Sequence, residues 1–366
     1  MTRVLVSGAG GFVGHHFLEH ILVHTDWEVE ATDSFRHKGK TDRISEVLAA
    51  HDGVPEHELP DSKLWTGNRV HVVTHDLTVP FSNQLLDRIG AIDYIVAFAS
   101  DSHVDRSITD PVPFIKNNID VATNTLELAR VLKPKAIVLV STDEVYGPVA
   151  ADDYEGHPEW DTILPSNPYS ASKAAQEAIA ISYWRTFGVP LVIVNCMNMI
   201  GERQDVEKFV PLVLSKVLRD EEVTIHGTPG HIGTRHYLHS RNLADGILFL
   251  LNKQRPTMFP AHANVHEGLA SNTQVRIGEK PDRYNIACPD RIDNLTMAHM
   301  IADYAGKPLR YKLEDFHGKR PGHDPHYGLS AKKMAALGWT PPISLEDSLR
   351  HTIEWTIRHP SWLLPD

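Results

Sequence analysis

The chain has 366 residues, of which 42% are hydrophobic and 23% are charged, a composition typical of one large α/β unit or of two folded domains. Its formal charge of −11 gives no electrostatic reason to expect binding to nucleic acid or to an anionic membrane. Cys196 and Cys288 are the only cysteines, too few for a disulfide framework or a thiolate zinc site.

The chain begins almost at once with an apolar run, so no signal peptide is predicted, and no apolar stretch reaches membrane-spanning length. Together with the low cysteine content, this makes the cytoplasm the expected location. The 23 histidines raise the question of a metal, and His16 and His20 are four residues apart on a predicted helix. No carboxylate or third histidine accompanies them at ligand spacing, so no metal site is predicted.

Short apolar runs alternate with segments of helical periodicity, which is typical of right-handed βαβ units and a doubly wound parallel sheet. The runs are nearly continuous in Val, Ile and Leu, as expected for strands that are covered on both faces. The predicted strands are 3–7, 27–32, 70–75, 93–99, 136–141, 190–196 and 222–226. The predicted helices are 112–132, 169–187, 208–219 and 242–251.

A glycine-rich turn follows the first predicted strand and precedes a predicted helix. Gly8, Gly11 and Gly14 are spaced three residues apart, and glycine lets backbone N–H groups approach a pyrophosphate at the helix N-terminus. Asp33 ends the second strand about twenty residues on, where a carboxylate can accept hydrogen bonds from the adenosine ribose. It would repel a 2′-phosphate and therefore favours NAD over NADP, although Arg36 and Lys38 could counter this. The alternative is an ordinary tight βα turn.

The predicted NAD site also includes the end of the third strand. Asp76 and Leu77 close the third strand and suit an adenine pocket, although an aspartate there is often only a cap. The remaining predicted NAD contacts are Phe12, Val13, Ala99, Tyr169 and Lys173.

Tyr169 and Lys173 lie four residues apart on one predicted helix, so that an ammonium can stabilise a phenolate. Alone, this spacing usually marks a solvated helix face, but here it follows a dinucleotide-binding turn. Thr142, Asp143 and Glu144 follow the fifth strand, whose carboxyl end is expected to face the ligand crevice. Adjacent carboxylates can be given different protonation states by their surroundings. The alternative is an acidic solvated loop.

The chain resembles the dTDP-glucose 4,6-dehydratases among the extended short-chain dehydrogenase/reductases, and the similarity covers nearly all of it. The resemblance rests on Ser102 to Ile108, Ser141 to Gly147, Pro168 to Lys173, Tyr284 to Ile286, Arg320 to Asp324 and Leu337 to Trp339. It implies that Tyr169, helped by Thr142 and Lys173, removes the proton of the sugar C4 hydroxyl while NAD takes the hydride. It further implies Glu144 as the base at C5 and Asp143 as the acid at the C6 hydroxyl.

The resemblance also implies a nucleotide-linked sugar as the substrate, dTDP-glucose first and UDP-glucose second, and a homodimer formed by a four-helix bundle from 112–132 and 169–187. The implied contacts to the sugar and diphosphate are Ser102, His103, Asn198, Glu207, Lys208, Arg235, Asn285, Arg320 and Tyr327. Two departures from the family pattern leave the identity of the nucleotide base and of the sugar open. Met199 stands where the family has a second Asn, and Asn242 stands where it has an acidic residue.

These observations predict two domains. A Rossmann-type NAD domain is placed at 1–198, to which 232–252 returns, and a smaller, non-contiguous substrate lobe is placed at 199–231 and 253–366. Segments 46–69 and 252–283 lack periodicity and are predicted to be surface insertions.

Two other classes of function remain open at this point. A 4-epimerase, or a UDP-sugar 5,6-dehydratase or decarboxylase of the same fold, is disfavoured by the adjacent Asp143 and Glu144. A non-catalytic NAD-binding sensor is disfavoured by the retained Tyr169 and Lys173.

Overall fold

The computed structural model describes residues 1–52, 68–253, 256, 279–315 and 324–364. The strands in these residues are β1 Arg3–Ser7, β2 Glu28–Asp33, β3 Val70–Thr74, β4 Tyr94–Ala97, β5 Ala136–Thr142, β6 Leu191–Cys196, β7 Met199–Ile200, β8 Val223–Thr228, β9 His231–Ile232, β10 Thr234–His236, β11 Leu238–His239, β12 Asp282–Ile286, β13 Arg291–Asp293 and β14 Tyr311–Glu314. The α-helices are α1 Phe12–His24, α2 Thr41–His51, α3 Asn83–Ile89, α4 Val104–Thr109, α5 Pro111–Leu132, α6 Pro168–Phe187, α7 Phe209–Leu218, α8 Ser240–Lys253, α9 Asn294–Tyr304, α10 Lys332–Ala336 and α11 Leu345–Arg358. None of these helices is long and apolar enough to cross a membrane.

The central feature is a seven-stranded sheet in the order β12-β6-β5-β4-β1-β2-β3. The pairs β1–β2, β1–β4, β2–β3 and β4–β5 are parallel. Val4, Leu5 and Val6 of β1 are fully buried, as the continuous apolar runs predict for strands covered on both faces. The predicted doubly wound parallel sheet is therefore confirmed.

Two predicted surface insertions are wrong where the structure describes them. Segment 46–69 begins inside helix α2, whose Ile44, Val47 and Leu48 are fully buried at helical spacing. Its remainder, 53–67, lies outside the described residues. Segment 252–283 ends inside β12, and Arg283 is fully buried there. Charged and amide side chains interrupt the apolar pattern of β12, which is why the strand was missed. Residues 254–255 and 257–278 are not described.

The chain divides into two compact units. The first unit consists of Met1–Thr142, Pro168–Asn195 and Ile247–Tyr284, and the second unit of Asp143–Asn167, Cys196–Gly246 and Asn285–Asp366. These bounds differ from the predicted domains, since 143–167, 196–198 and 232–246 belong to the second unit. The assignment of one part to NAD and the other to the substrate stays a prediction.

The second unit contains small sheets, β10 with β13, β11 with β7, and β14-β8-β9. Asn242, the departure from the family pattern, lies inside this unit. Its amide nitrogen donates to the Ile343 carbonyl over 2.8 Å, and its amide oxygen accepts from the Ile343 N–H over 3.3 Å. A carboxylate could accept but not donate, so the amide fits this place better than an acid does.

In the first unit, helix α6 is tied to the central sheet by a buried ion pair. Arg283 Nη2 lies 2.5 Å from Glu177 Oε2, and both side chains are fully buried. Asn195 Nδ2 donates to the other Glu177 oxygen and to the Thr142 carbonyl, over 3.0 Å in each case. One carboxylate thus links α6 to β12 and β6, and the shared Asn195 fixes the end of β5.

Removal of one charge from this pair is expected to destabilise the fold strongly. Glu177→Gln leaves the Arg283 charge buried without its counterion, which costs about 3–5 kcal/mol in the free energy of unfolding. Urea unfolding followed by circular dichroism measures the loss. The double variant Glu177→Met with Arg283→Met should lose less, because no buried charge remains. The exposed Glu155→Gln, whose partner is Lys332, serves as the control. Equal stability of Glu177→Gln and the wild type would contradict this account.

Candidate active site

The glycine-rich turn between β1 and α1 has the shape that a dinucleotide pyrophosphate requires. Gly8 has a φ of +76°, and a Cβ there would lie 2.8 Å from the Ala99 backbone. A Cβ at Gly14 would lie 2.0 Å from the Gly8 carbonyl oxygen. Helix α1 begins at Phe12, and Gly11 at its N-cap offers no side-chain cap. Backbone N–H groups and the positive end of the helix dipole are therefore available to an anion.

Asp33 stands beside this turn, at the end of β2, and is 7% exposed. Its Oδ2 accepts from the Gly10 N–H and its Oδ1 from the Phe35 N–H, both over 2.9 Å. Burial raises the pKa of Asp33, and these hydrogen bonds oppose that shift. Each carboxylate oxygen has two acceptor lone pairs, so Asp33 can still accept a hydrogen bond from a ribose hydroxyl. The residues fit NAD.

Sequence reasoning missed two residues that shape this pocket. A Cβ at Gly39 would lie 2.3 Å from Asp33 Oδ1, so the backbone of the 36–40 loop passes directly over the carboxylate. Arg43 is fully buried and donates to the Lys38 carbonyl over 2.7 Å. The sequence signal for Gly39 was its place directly after the basic residues Arg36 and Lys38. Arg43 gave none, because it lies outside the predicted helices and strands and its partners are backbone carbonyls.

Asp76 forms a turn after β3. Its Oδ1 accepts from the Thr78 N–H over 3.0 Å and from the Thr78 hydroxyl over 2.8 Å, and Arg36 Nη1 lies 2.5 Å from its Oδ2. Burial would raise the pKa of Asp76, but the Thr78 hydrogen bonds and the Arg36 charge outweigh it and lower the pKa. Arg36 is thus engaged by Asp76. The adjacent Leu77 is buried, while Phe12, Val13 and Ala99 are partly exposed.

The predicted catalytic pair lies on the first turns of α6. Lys173 is 4% exposed, and its Nζ donates to the Val140 carbonyl over 2.8 Å and to Gln176 Oε1 over 2.7 Å. The Tyr169 N–H donates to Ser107 Oγ over 3.1 Å, and Tyr169 remains partly exposed. The ammonium and the tyrosine backbone are therefore fixed by residues that a Tyr/Lys motif does not name.

Thr142 ends β5 and is 7% exposed. The next two residues, Asp143 and Glu144, belong to the second unit and form a 3-10 turn with Val145. Asp143 is 3% exposed and Glu144 is half-buried.

Glu144 has an environment suited to proton transfer. Asn167 Nδ2 donates to Glu144 Oε2 over 3.2 Å. Burial raises the pKa of Glu144, while the Asn167 hydrogen bond and the charges of Arg235 and Lys208 oppose the shift. A carboxyl group whose pKa is moved towards neutrality is typical of a general acid or base.

Arg235 and Tyr327 face the same carboxyl group. The Arg235 guanidinium lies 4.6 Å from the Tyr327 ring centroid, and its Nη1 and Nη2 donate to the Pro325 and Asp324 carbonyls over 2.7 and 2.8 Å. Tyr327 is 4% exposed. Burial raises its pKa, and Glu144 and Asp324 add to the shift. Arg235 thus organises the segment from Asp324 to Tyr327 beside Glu144.

The other predicted substrate residues are spread through the structure. Asn285 is fully buried, and its Nδ2 donates to the His157 carbonyl over 3.0 Å. Asn198 Nδ2 donates to the His236 carbonyl over 3.3 Å. Ser102 and Glu207 are exposed, and the His103 ring accepts from the Arg106 N–H at the start of α4. Arg320 lies outside the described residues. The described part of the chain holds no cluster of three or more His, Cys, Asp or Glu side chains suited to a metal.

Known proteins resemble this chain over its length. Residues 4–265 match the family model described as the NAD dependent epimerase/dehydratase family. A dTDP-glucose 4,6-dehydratase of Shigella flexneri is 29% identical over 379 residues, 99% of this chain and 94% of that protein. The dTDP-glucose 4,6-dehydratase 1 of Escherichia coli is 29% identical over 384 residues, again 99% and 94%.

Solved structures agree in fold. The dTDP-glucose 4,6-dehydratase DesIV of Streptomyces venezuelae, crystallised with NAD, has a TM-score of 0.78 at 27% identity and covers 99% of this chain and 98% of its own. A UDP-glucose 4-epimerase of Thermus thermophilus, at 23% identity and a TM-score of 0.75 over 97% of this chain and 98% of its own, shows the shared fold alone. The chain belongs to the NAD dependent epimerase/dehydratase family.

Proposed function

We propose that the protein is a nucleotide-sugar 4,6-dehydratase, an NAD-dependent hydro-lyase that forms a 4-keto-6-deoxy sugar. The proposed substrate is dTDP-glucose first and UDP-glucose second. The observation that carries the proposal is Glu144, a half-buried carboxyl group with a raised pKa, in a chain that also has the Tyr169/Lys173 pair. Relatives named dTDP-glucose 4,6-dehydratase support it.

The residues that would hold NAD belong to the first unit. The turn of Gly8, Gly11 and Gly14 would receive the pyrophosphate, Asp33 the adenosine ribose, and the Asp76 and Leu77 segment the adenine. NAD, when bound, supplies a hydride acceptor for the sugar C4 and a hydride donor for C6, so it is unchanged over a full cycle.

The first proton transfer is assigned to Tyr169. A phenol with an ordinary pKa of about 10 is a poor base at neutral pH. The nearby ammonium of Lys173 stabilises the phenolate, which then takes the proton of the C4 hydroxyl as C4 becomes a ketone. The Thr142 hydroxyl is proposed to bind the same C4 oxygen.

Elimination of water is assigned to the two carboxyl groups. The ketone at C4 acidifies the C5 proton, which Glu144 removes as the base. Asp143 gives a proton to the C6 hydroxyl, water leaves, and a C5–C6 double bond forms. The raised pKa of Glu144 makes it a stronger base than an ordinary glutamate, as long as it is ionised.

The proposed contacts with the sugar and the diphosphate come from both sequence and structure. Lys208 and Arg235 act electrostatically on Glu144 and would also attract a diphosphate. The other proposed contacts are Ser102, His103, Asn198, Glu207, Asn285, Arg320 and Tyr327. Both cysteines are buried free thiols, which agrees with the proposed cytoplasmic location.

The protein is expected to convert its substrate without added NAD, because a redox-neutral cycle gives no reason to release the cofactor. Purified protein would be incubated with dTDP-, UDP-, GDP- and CDP-hexoses, and mass spectrometry should find a product lighter by one water. Tyr169→Phe should give no product. If product forms only with added NAD and equals the NADH formed, the protein is a simple dehydrogenase. An epimer of unchanged mass would indicate the 4-epimerase alternative.

Glu144→Gln is expected to stop the reaction after C4 oxidation, because the amide keeps the shape of the side chain but cannot take the C5 proton. Product formation should fall on the order of a hundredfold or more, and a 4-keto hexose that retains its C6 hydroxyl should form at no more than one per bound NAD, because the hydride taken from C4 has no acceptor at C6. In deuterated water the wild type should place deuterium at C5. Glu155→Gln in the exposed Lys332 pair is the matched control.

The pH dependence adds a second measurement on the same variant. Because the pKa of Glu144 is raised, the wild-type rate should fall as the pH drops through a value above the ordinary glutamate range. The residual rate of Glu144→Gln should lack this limb. Near wild-type turnover by Glu144→Gln would show that this residue is not the base.

We also propose a homodimer formed through α5 and α6, which pack along each other. Val112 on α5 and Phe187 on α6 are exposed, at 74% and 50%, and Ile119 and Ile179 are only partly buried. Two such helix pairs can bury these side chains as a four-helix bundle.

Light scattering at micromolar concentration should give the mass of a dimer. Ile119→Asp should give a monomer, because a charge would be buried in the interface. Val23→Asp replaces an exposed apolar residue of α1 and should leave the dimer intact. A monomeric wild type would refute this assembly.

A further inference from the structure

We propose that Gln176 is a positioning residue that holds the Lys173 ammonium in place, an inference that rests on the proposed function of Tyr169 and Lys173. Gln176 follows Lys173 by three residues, so the two share a face of α6. It is 1% exposed, and its Oε1 lies 2.7 Å from Lys173 Nζ. Its Nε2 lies 2.7 Å from the Asn118 carbonyl oxygen.

The chemistry of these contacts fixes which way the Gln176 amide points. The Asn118 carbonyl can only accept a hydrogen bond, so the amide nitrogen must face it and the amide oxygen must face the ammonium. Asn118 is itself fully buried, and its side chain takes part in four hydrogen bonds, one of them from Asn117 Nδ2 to its Oδ1. Its Nδ2 donates to the Asp101 carbonyl and to Ser172 Oγ, and its Oδ1 accepts from the Asp101 N–H. The acceptor offered to Lys173 is therefore rigid.

The absence of a charge on Gln176 is as important as its geometry. Both Gln176 and the Val140 carbonyl bind the Lys173 ammonium as uncharged acceptors, so they hold its position without cancelling its charge. A carboxylate would pair with the ammonium and weaken its effect on a phenol. The next residue is a glutamate, but the charge of Glu177 is paired with Arg283. These two contacts thus position the Lys173 ammonium without adding a negative charge that would weaken its effect on a Tyr169 phenolate.

The test compares two variants with a matched control. Gln176→Met keeps the length of the side chain and removes both hydrogen bonds, and Gln176→Ala removes them without any risk of overpacking. Tyr183→Phe is the control, because it deletes another hydrogen bond between α6 and α5, from the Tyr183 hydroxyl to Glu127 Oε1 over 2.6 Å. All would be made with Glu144→Gln, so that C4 ketone formation is followed without titration of Glu144.

Both Gln176 variants should lower the single-turnover rate constant of ketone formation on the order of tenfold and leave the substrate concentration that gives half the maximal rate nearly unchanged. Their rate profile should move to higher pH, because a displaced ammonium stabilises the phenolate less. Tyr183→Phe should keep the parent profile. The inference is overturned if the Gln176 variants and the control have the same profile.

A measurement without substrate separates this inference from the proposed function. In protein labelled with 13C at lysine Cε, the Lys173 resonance is the one that Lys173→Met removes. Its titration midpoint should fall in Gln176→Met and Gln176→Ala, because the buried ammonium has lost an acceptor, and it should not move in Tyr183→Phe. An unchanged midpoint in both Gln176 variants overturns the inference. If the wild type makes no 4-keto product, the proposed function fails, while this titration still decides the role of Gln176.

Discussion

The buried ion pair between Glu177 and Arg283 is the interaction on which the proposed catalytic residues of the first unit depend. It joins helix α6 to strand β12, and Asn195 extends it to the carbonyl of Thr142. Tyr169, Lys173 and Gln176 all lie on α6, so their position relative to the end of β5 is fixed by one carboxylate. Because a buried charge without its partner is very costly, the helix cannot shift away from the sheet without breaking the fold.

Two charged residues on neighbouring turns of α6, Glu177 and Lys173, have different kinds of partner. Glu177 is fully neutralised by Arg283, while the ammonium of Lys173 is held by the uncharged Val140 carbonyl and Gln176 amide. The first arrangement stabilises the fold, and under the proposed function the second positions the ammonium for its action on Tyr169. In the second unit, Asn242 is likewise an uncharged side chain that holds backbone groups. Its amide both donates to and accepts from the Ile343 backbone.

In the second unit, burial raises the pKa of an acidic residue, Glu144. Glu144 is partly buried against Asn167, and the charges of Lys208 and Arg235 do not fully offset the desolvation that raises its pKa. The consequence is a carboxyl group whose pKa is raised above its ordinary value, which makes it a stronger base when it is ionised. Asp143, its neighbour in the chain, is almost fully buried, so the two acids have different surroundings although they are adjacent.

The sequence by itself determined strands β1 to β6 and β8, helices α5 to α8 and the chemistry-bearing motifs, but not α2 or β12. Continuous apolar runs identify buried parallel strands such as β1, and the spacing of Gly8, Gly11 and Gly14 identifies the turn, where the structure leaves no room for a Cβ at Gly8 or Gly14. Only the tertiary structure decided what depends on distant partners. Arg283 could be read as a buried strand residue only once Glu177 was seen beside it, 106 residues away in the chain, and Gln176 gained a role only when α5 brought the Asn118 carbonyl within 2.7 Å. Local periodicity records which side chains are apolar, whereas the pairing of buried polar groups is set by long-range packing that no short window of sequence contains.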